Sequence, residues 1–104
     1  MANRQHTIVA TAYDKRGRML ARAENHYRKT HPIQAHFARL AGQPERLSLH
    51  AEIACLLRCK DVVPYEIHIE RYKKDGSPAL AAPCPICSLA IKQWGVQRVS
   101  YTVG

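Results

Sequence analysis

The sequence contains no apolar run approaching the roughly 20 residues that cross a bilayer as a helix. Its longest apolar stretch, Leu47 to Leu57, is interrupted by charged and polar residues. A membrane-spanning helix is thereby excluded from this stretch of chain. The segment Met1 to Arg16 also lacks the sustained hydrophobic core and small-residue cleavage site of a secretory leader, so a cytoplasmic location without membrane association is expected. Cysteine is sparse. The four present, Cys55, Cys59, Cys84 and Cys87, are too few for a dense disulfide scaffold, and the close Cys84/Cys87 pair suggests metal or redox chemistry in a reducing compartment. Linkers, internal repeats and low-complexity tracts are missing too. At 104 residues the chain is expected to form a single domain over 1–104, small enough that a second subunit could complete its core.

Acidic residues are also in short supply, eight against sixteen Lys and Arg, giving a formal net charge of +8. Such an excess favours encounters with phosphate-bearing molecules, although surface bases also serve solubility alone. They concentrate in three segments with loop character, Asp14 to Arg18, Tyr27 to Lys29 and Arg71 to Lys74. No long basic helix and no series of stacking aromatics accompanies them, as an extended nucleic-acid-binding surface would require.

The patterning predicts the element order β-β-α-α-β-α-β. Residues 7–13 are β-branched and aromatic, Asp14-Lys15-Arg16-Gly17 has turn chemistry, and residues 18–23 resume an extended pattern, together a hairpin. Residues 24–32 are polar, end at Pro32 and read as loop. Residues 33–41 place Ile33, Phe37, Leu40 and Ala41 on one helical face before Gly42 stops the helix. Ser48 is the expected cap of a second helix, with apolar positions at Leu49, Ile53, Leu56 and Leu57. Residues 65–72 alternate as a strand, and residues 73–82 form a loop turning at Asp75-Gly76. Pro83-Cys84-Pro85 announces a third helix, with Cys84 as cap and Cys87 in the first turn, ending at Trp94-Gly95. Residues 96–103 alternate again as a last strand. Strand-helix-strand order implies a right-handed crossover and a parallel C-terminal pair. Every strand nevertheless carries a polar face, so one sheet face is expected to hold the second and third helices. The other is left to the helix over residues 33–41 or to another subunit.

Two short stretches concentrate the chemistry, Leu49-His50-Ala51-Glu52-Ile53 and Pro83-Cys84-Pro85-Ile86-Cys87. Cysteines at i and i+3 on a helix start bring two sulfurs to one ion, where orphan amides and the positive helix end favour thiolates. A redox role fits the spacing less well, because proline flanks Cys84 on both sides. His50 can supply a third ligand, leaving a fourth tetrahedral position for water. Taken singly, a histidine in a first helical turn is more often incidental, and an acid such as Glu52 is common there for dipole reasons. The conjunction of the two stretches, one on each helix start with a strand between them, outweighs both bland readings. A rival site using all four cysteines fails on reach, because Cys55 and Cys59 lie one and two turns along the helix from His50. They are expected to be buried thiols.

The His50-Ala51-Glu52 and Pro83-Cys84-Pro85-Ile86-Cys87 pair resembles the signature of the zinc-dependent cytidine and deoxycytidylate deaminase superfamily. Residues 90–99 also look like that family's helix leading into its next strand, and the likeness in layout runs from Thr7 to Thr102. The resemblance implies an α/β cytidine-deaminase-like sheet of about four strands, with an N-terminal antiparallel hairpin, a parallel C-terminal pair and both zinc-motif helices on one face. It implies that His50, Cys84 and Cys87 hold Zn2+ and that Glu52 is the catalytic proton carrier rather than a ligand. Ala51 would offer its amide to the base carbonyl, Asn25 would contact sugar or base, and Pro83 would border the substrate. Tyr27 could stack on a base, and Arg28, Lys29 and His31 could meet a phosphate.

Familiar members carry a helix before the first strand and further elements after the last. The resemblance is therefore to a small, minimal member, whose pocket is open or completed by a neighbour in a homo-oligomer. The expected activity is hydrolytic deamination of a cytosine-type base on a free nucleoside or nucleotide. The alternatives are deamination of a base within single-stranded DNA or RNA, and a non-catalytic zinc-stabilised binding module, which would have no use for Glu52.

Overall fold

Aspartate chemistry closes the first hairpin. The Asp14 Oδ1 accepts the backbone N–H groups of Arg16 and Arg18, both at 2.9 Å, and Gly17 takes the left-handed φ of 82° that the turn requires. The turn joins β1 (Ile8–Tyr13) to β2 (Met19–Glu24). The computed structural model describes residues 7–104. Residues 1–6, part of the segment read for a leader and of the domain expected over 1–104, lie outside the described residues.

Four strands form a mixed sheet in the order β2-β1-β5-β6, in which β5 is Glu66–Arg71 and β6 is Arg98–Tyr101. The β1 strand lies antiparallel to both β2 and β5, and β5 runs parallel to β6. Register decides which face is apolar. Ala10 lies opposite Ala23 and Ile69, and Ala12 opposite Ala21 and Ile67, so these residues share one face. The small alanines let α2 (Ala51–Arg58), buried from Ala51 through Leu56, lie close over β1 and β2. The α3 helix (Pro85–Trp94) crosses from β5 to β6 and packs beside α2, burying Ile86, Cys87, Ala90 and Ile91 in the same core. Both motif helices thus occupy one face, as expected.

Several expectations are corrected. The segment 24–32 is not all loop: β3 (His26–Thr30) pairs with a two-residue strand, β4 (Ser48–Leu49), in a separate ribbon. All of β3 is exposed except half-buried His26, so it carries no apolar alternation by which sequence could reveal it. Ser48 does not cap the second helix, because its backbone belongs to this ribbon. The N-cap is His50. The helix α1 (Pro32–Leu40) buries Gln34, Phe37 and Ala38 and leaves Leu40 56% exposed, a rotation of the expected face toward a polar residue. Finally, α1 does not cover the second sheet face. It packs on α3, with the Phe37 and Trp94 rings 6.5 Å apart, placing all three helices on one side.

The opposite face satisfies itself with polar contacts. Ser100 Oγ donates to Glu66 at 2.8 Å and lies 2.7 Å from His68 Nδ1, while Arg22 reaches Thr11 and Glu70. The expected apolar face of the last strand is not buried either: Val99, Tyr101 and Val103 are 37%, 40% and 62% exposed, since β6 is an edge. Among the described residues no helix is long and apolar enough to cross a membrane.

Candidate metal centre and cleft

Two helices begin at the same place without side-chain caps. His50 and Cys84 are the N-caps of α2 and α3, both in extended backbone conformation, and neither side chain bonds its own helix start. Capping residues ordinarily stabilise a helix by about 1 kcal/mol through such a bond. Here both side chains are turned to one another. His50 Nδ1 lies 3.2 Å from Cys87 Sγ and 3.5 Å from Cys84 Sγ. The three ligand atoms all lie within 4.8 Å of one another, the one His/Cys/Asp/Glu group among the described residues able to hold a metal ion. The Cys55 and Cys59 thiols are buried and outside this group, as expected from their place along α2. Burial pushes Cys55 up to about 12, so it is an inert core thiol.

Electrostatics differ sharply within the cluster. Cys84 is held down to about 4, first by a hydrogen bond from the Cys87 side chain and also by His50. Cys87 is pushed up well above the usual thiol range, because its proton serves Cys84 and its sulfur is buried. The Cys84 sulfur in turn raises His50, which burial and the Arg46 charge oppose. Without metal the trio therefore keeps a thiolate, a thiol and an imidazole inclined to protonate, and a metal cation can displace those protons.

Glu52 sits in the first turn of α2 at 5% exposure, and burial raises its carboxyl above the ordinary range. It lines a cleft of about 600 Å³ together with Ala51, His50 and Cys84. That volume falls within the roughly 300–1,000 Å³ of small-molecule sites. The remaining wall comes from the corner Asn25-His26-Tyr27, the segment Glu45 to Leu49, the segment Leu80 to Ala82, and Ile8 and Arg71. Asn25, Ala51 and Tyr27, singled out in the sequence, are thus brought to the cleft. Asn25 Oδ1 accepts the Ile8 N–H at 3.0 Å and so fixes that corner of the rim. Pro83 lies between lining residues without lining the cleft itself, and Arg28, Lys29 and His31 stand outside it.

No family model, curated protein or solved structure matches the chain. The geometry speaks for itself.

Sequence reasoning passed over Gln34 and Arg46, and it noted Arg71 only within a basic run of loop character, whereas Arg71 ends β5. Gln34 on α1 is fully buried, and its Oε1 accepts the His50 backbone N–H at 3.1 Å, tying α1 to the start of α2. Its Nε2 has no hydrogen-bond partner among the described residues. Arg46 and Arg71 line the cleft. Nothing local marks Gln34 or Arg46.

Proposed function

We propose that the protein is a zinc-dependent hydrolytic deaminase acting on a cytosine-type base of a free nucleoside or nucleotide. One observation carries this reading. The Nδ1 of His50 and the sulfurs of Cys84 and Cys87 converge beside a buried carboxyl, Glu52, on the wall of a cleft. The donor set suits zinc, which takes nitrogen and sulfur ligands tetrahedrally. Zn–N of about 2.05 Å and Zn–S of about 2.3 Å set N and S about 3.5 Å apart at a tetrahedral angle, close to the 3.2 and 3.5 Å here. Three protein ligands leave the fourth position open, the mark of a catalytic rather than a structural site.

Zinc held by His50, Cys84 and Cys87 would supply Lewis acidity toward water, softened by the charge of two thiolates, so that a neighbouring base would be needed to take the proton. Glu52 is that base, and its burial raises its proton affinity toward the range where it can both accept and return a proton. It accepts a water proton, hands it to the ring nitrogen N3, and passes the second water proton to the leaving amino group. The C4–O bond forms, the C4–N bond breaks, ammonia departs, and Glu52 ends ionised as it began. Ala51, at the first helical position, has an amide without intrahelical partner for the base carbonyl. Tyr27, 45% exposed at the cleft wall, offers a ring for stacking. An exposed ring on an open wall also favours a second reading, in which the base is displayed on single-stranded DNA or RNA.

The test is ammonia release by zinc-loaded protein from cytidine, deoxycytidine, their monophosphates and single-stranded oligonucleotides. Glu52→Ala is expected to lower turnover at least about 10²–10⁴-fold. Turnover unaffected by that substitution, or metal content unaffected by Cys84→Ser and Cys87→Ser, overturns the assignment.

A further inference from the structure

The cleft that holds Glu52 is lined by two arginines from different parts of the chain, Arg46 and Arg71. Arg71 ends β5, and Arg46 precedes β4. Among the described residues the ion pairs are Arg18 with Asp14 and Arg22 with Glu70, so neither cleft arginine is neutralised by an acid. The backbone of Arg71 is fixed at the end of β5, and its side chain makes one long contact. Its backbone N–H donates to Thr102 Oγ1 at 3.1 Å, its carbonyl accepts from Ala79 N–H at 2.9 Å and from Thr102 Oγ1 at 3.3 Å, and its Nη1 reaches the Leu80 carbonyl at 3.5 Å. It also lies opposite Ile8 in the sheet register, next to the backbone amide that Asn25 grips. Arg71, Ile8 and Asn25 thus form one braced stretch of rim.

Acids on the wall are Glu45, which is exposed, and Glu52, which the proposed chemistry uses. Two lining arginines without an ion-pair partner among the described residues, beside Leu47, Leu49, Leu80, Ala81 and Ala82, suit a ligand that is flat and apolar at one end and anionic at the other. A guanidinium fork matches a phosphate bidentately. The basic residues Arg28 and Lys29 do not line the cleft.

We propose that Arg71, assisted by Arg46, binds a phosphate ester of the substrate, so that the site takes nucleotides in preference to nucleosides. This inference rests on the deaminase reading for its chemistry but stands on its own for binding. The phosphate is supplied by a mononucleotide or by the backbone of a single strand, and separate arms of the test tell them apart.

The experiment compares kcat/KM for cytidine with CMP, for deoxycytidine with dCMP, and for a single-stranded oligonucleotide with one cytosine, all with zinc-loaded protein. Calorimetric titration of cytidine and CMP runs in parallel. A charge-assisted contact to phosphate is expected to favour the phosphorylated ligand by about 10- to 100-fold. Arg71→Gln should bring that ratio toward one, mostly through KM, and Arg46→Gln should lower it partly. Arg16→Gln, in the β1–β2 turn outside the cleft, should leave it as it is. If Arg71→Gln does not fold, as judged by its melting transition, Arg71→Lys and Arg46→Gln carry the test. Activity on the oligonucleotide but neither monophosphate identifies the backbone as the source. If no substrate is deaminated, the deaminase reading fails, and the calorimetry alone decides the phosphate site. Equal affinity for cytidine and CMP, or a preference for CMP untouched by the arginine substitutions, overturns it.

Discussion

The two cysteines of the cluster are three residues apart yet differ in everything that matters for a metal. Cys84, at the helix cap, is the ready thiolate at about 4, whereas Cys87, buried and lending its proton to Cys84, is held protonated. The His50 imidazole leans toward its charged form because the Cys84 sulfur stabilises it. A metal needs the reverse: Cys87 ionised and His50 neutral. Metal-free protein therefore binds more protons than metal-loaded protein, and the sign follows directly: affinity for zinc rises with pH. Each proton displaced over the range tested contributes about tenfold per pH unit. Competition against a chromophoric chelator at pH 6, 7 and 8 should show that rise, with Cys87→Ser removing much of it along with much of the affinity. An affinity flat across this range would mean that the metal is held elsewhere. The three side chains that converge were legible in the sequence because their spacing is local. A cysteine pair at i and i+3 after a proline, and a histidine two before a glutamate, fix their own geometry once a helix starts there.

At the scale of elements, legibility depended on whether a segment's partner leaves a periodic trace. The β1–β2 hairpin, β5 and α3 left one, in apolar alternation or in turn and cap chemistry. The β3–β4 ribbon left none, since β3 past His26 faces water and β4 is only two residues long, and it moves the N-cap of α2 from Ser48 to His50. Helix α1 left a misleading trace. Its leucine pointed to a face with Leu40 inward, but Gln34 is buried instead because its Oε1 holds the His50 amide. That bond makes Gln34 a positioning residue, acting on the metal ligand through backbone rather than touching the site. Gln34→Leu keeps the volume, loses the bond to His50 and also removes the buried, unpartnered Nε2, two effects of opposite sign and each about 1–3 kcal/mol. The melting temperature should thus change little. Zinc affinity, read by chelator competition, should fall by about 10-fold or more, as for the outer partners of metal ligands generally. Unchanged affinity in a folded variant would reduce Gln34 to an ordinary core residue.

The whole molecule decides how far the fold would depend on a metal bound at the His50, Cys84 and Cys87 group. In a zinc finger the ion is the core, and chelation unfolds the chain. Here a continuous apolar cluster runs from Ala10, Ala12, Ile67 and Ile69 of the sheet through Ile53 and Leu56 of α2 to Ile86 and Ile91 of α3, and on to Phe37 of α1. None of these residues belongs to the His50, Cys84 and Cys87 group. Yet the core is one-sided: the second sheet face is polar, and β6 exposes its apolar side chains. Stability should accordingly be moderate, and a cross-link between the starts of α2 and α3 should be felt. Zinc at about 100 times its dissociation constant stabilises by about 2.7 kcal/mol, and a domain of this length shifts by about 4–8 °C per kcal/mol. Chelation is therefore expected to lower the melting temperature by about 10–20 °C while leaving far-ultraviolet circular dichroism at 20 °C unchanged, because the apolar cluster keeps the helices packed. Cys84→Ser should melt near the chelated protein and respond little to added zinc. Collapse of the helical signal on chelation at 20 °C would place the metal within the folding nucleus and refute the division between a self-sufficient core and a metal centre seated on its rim.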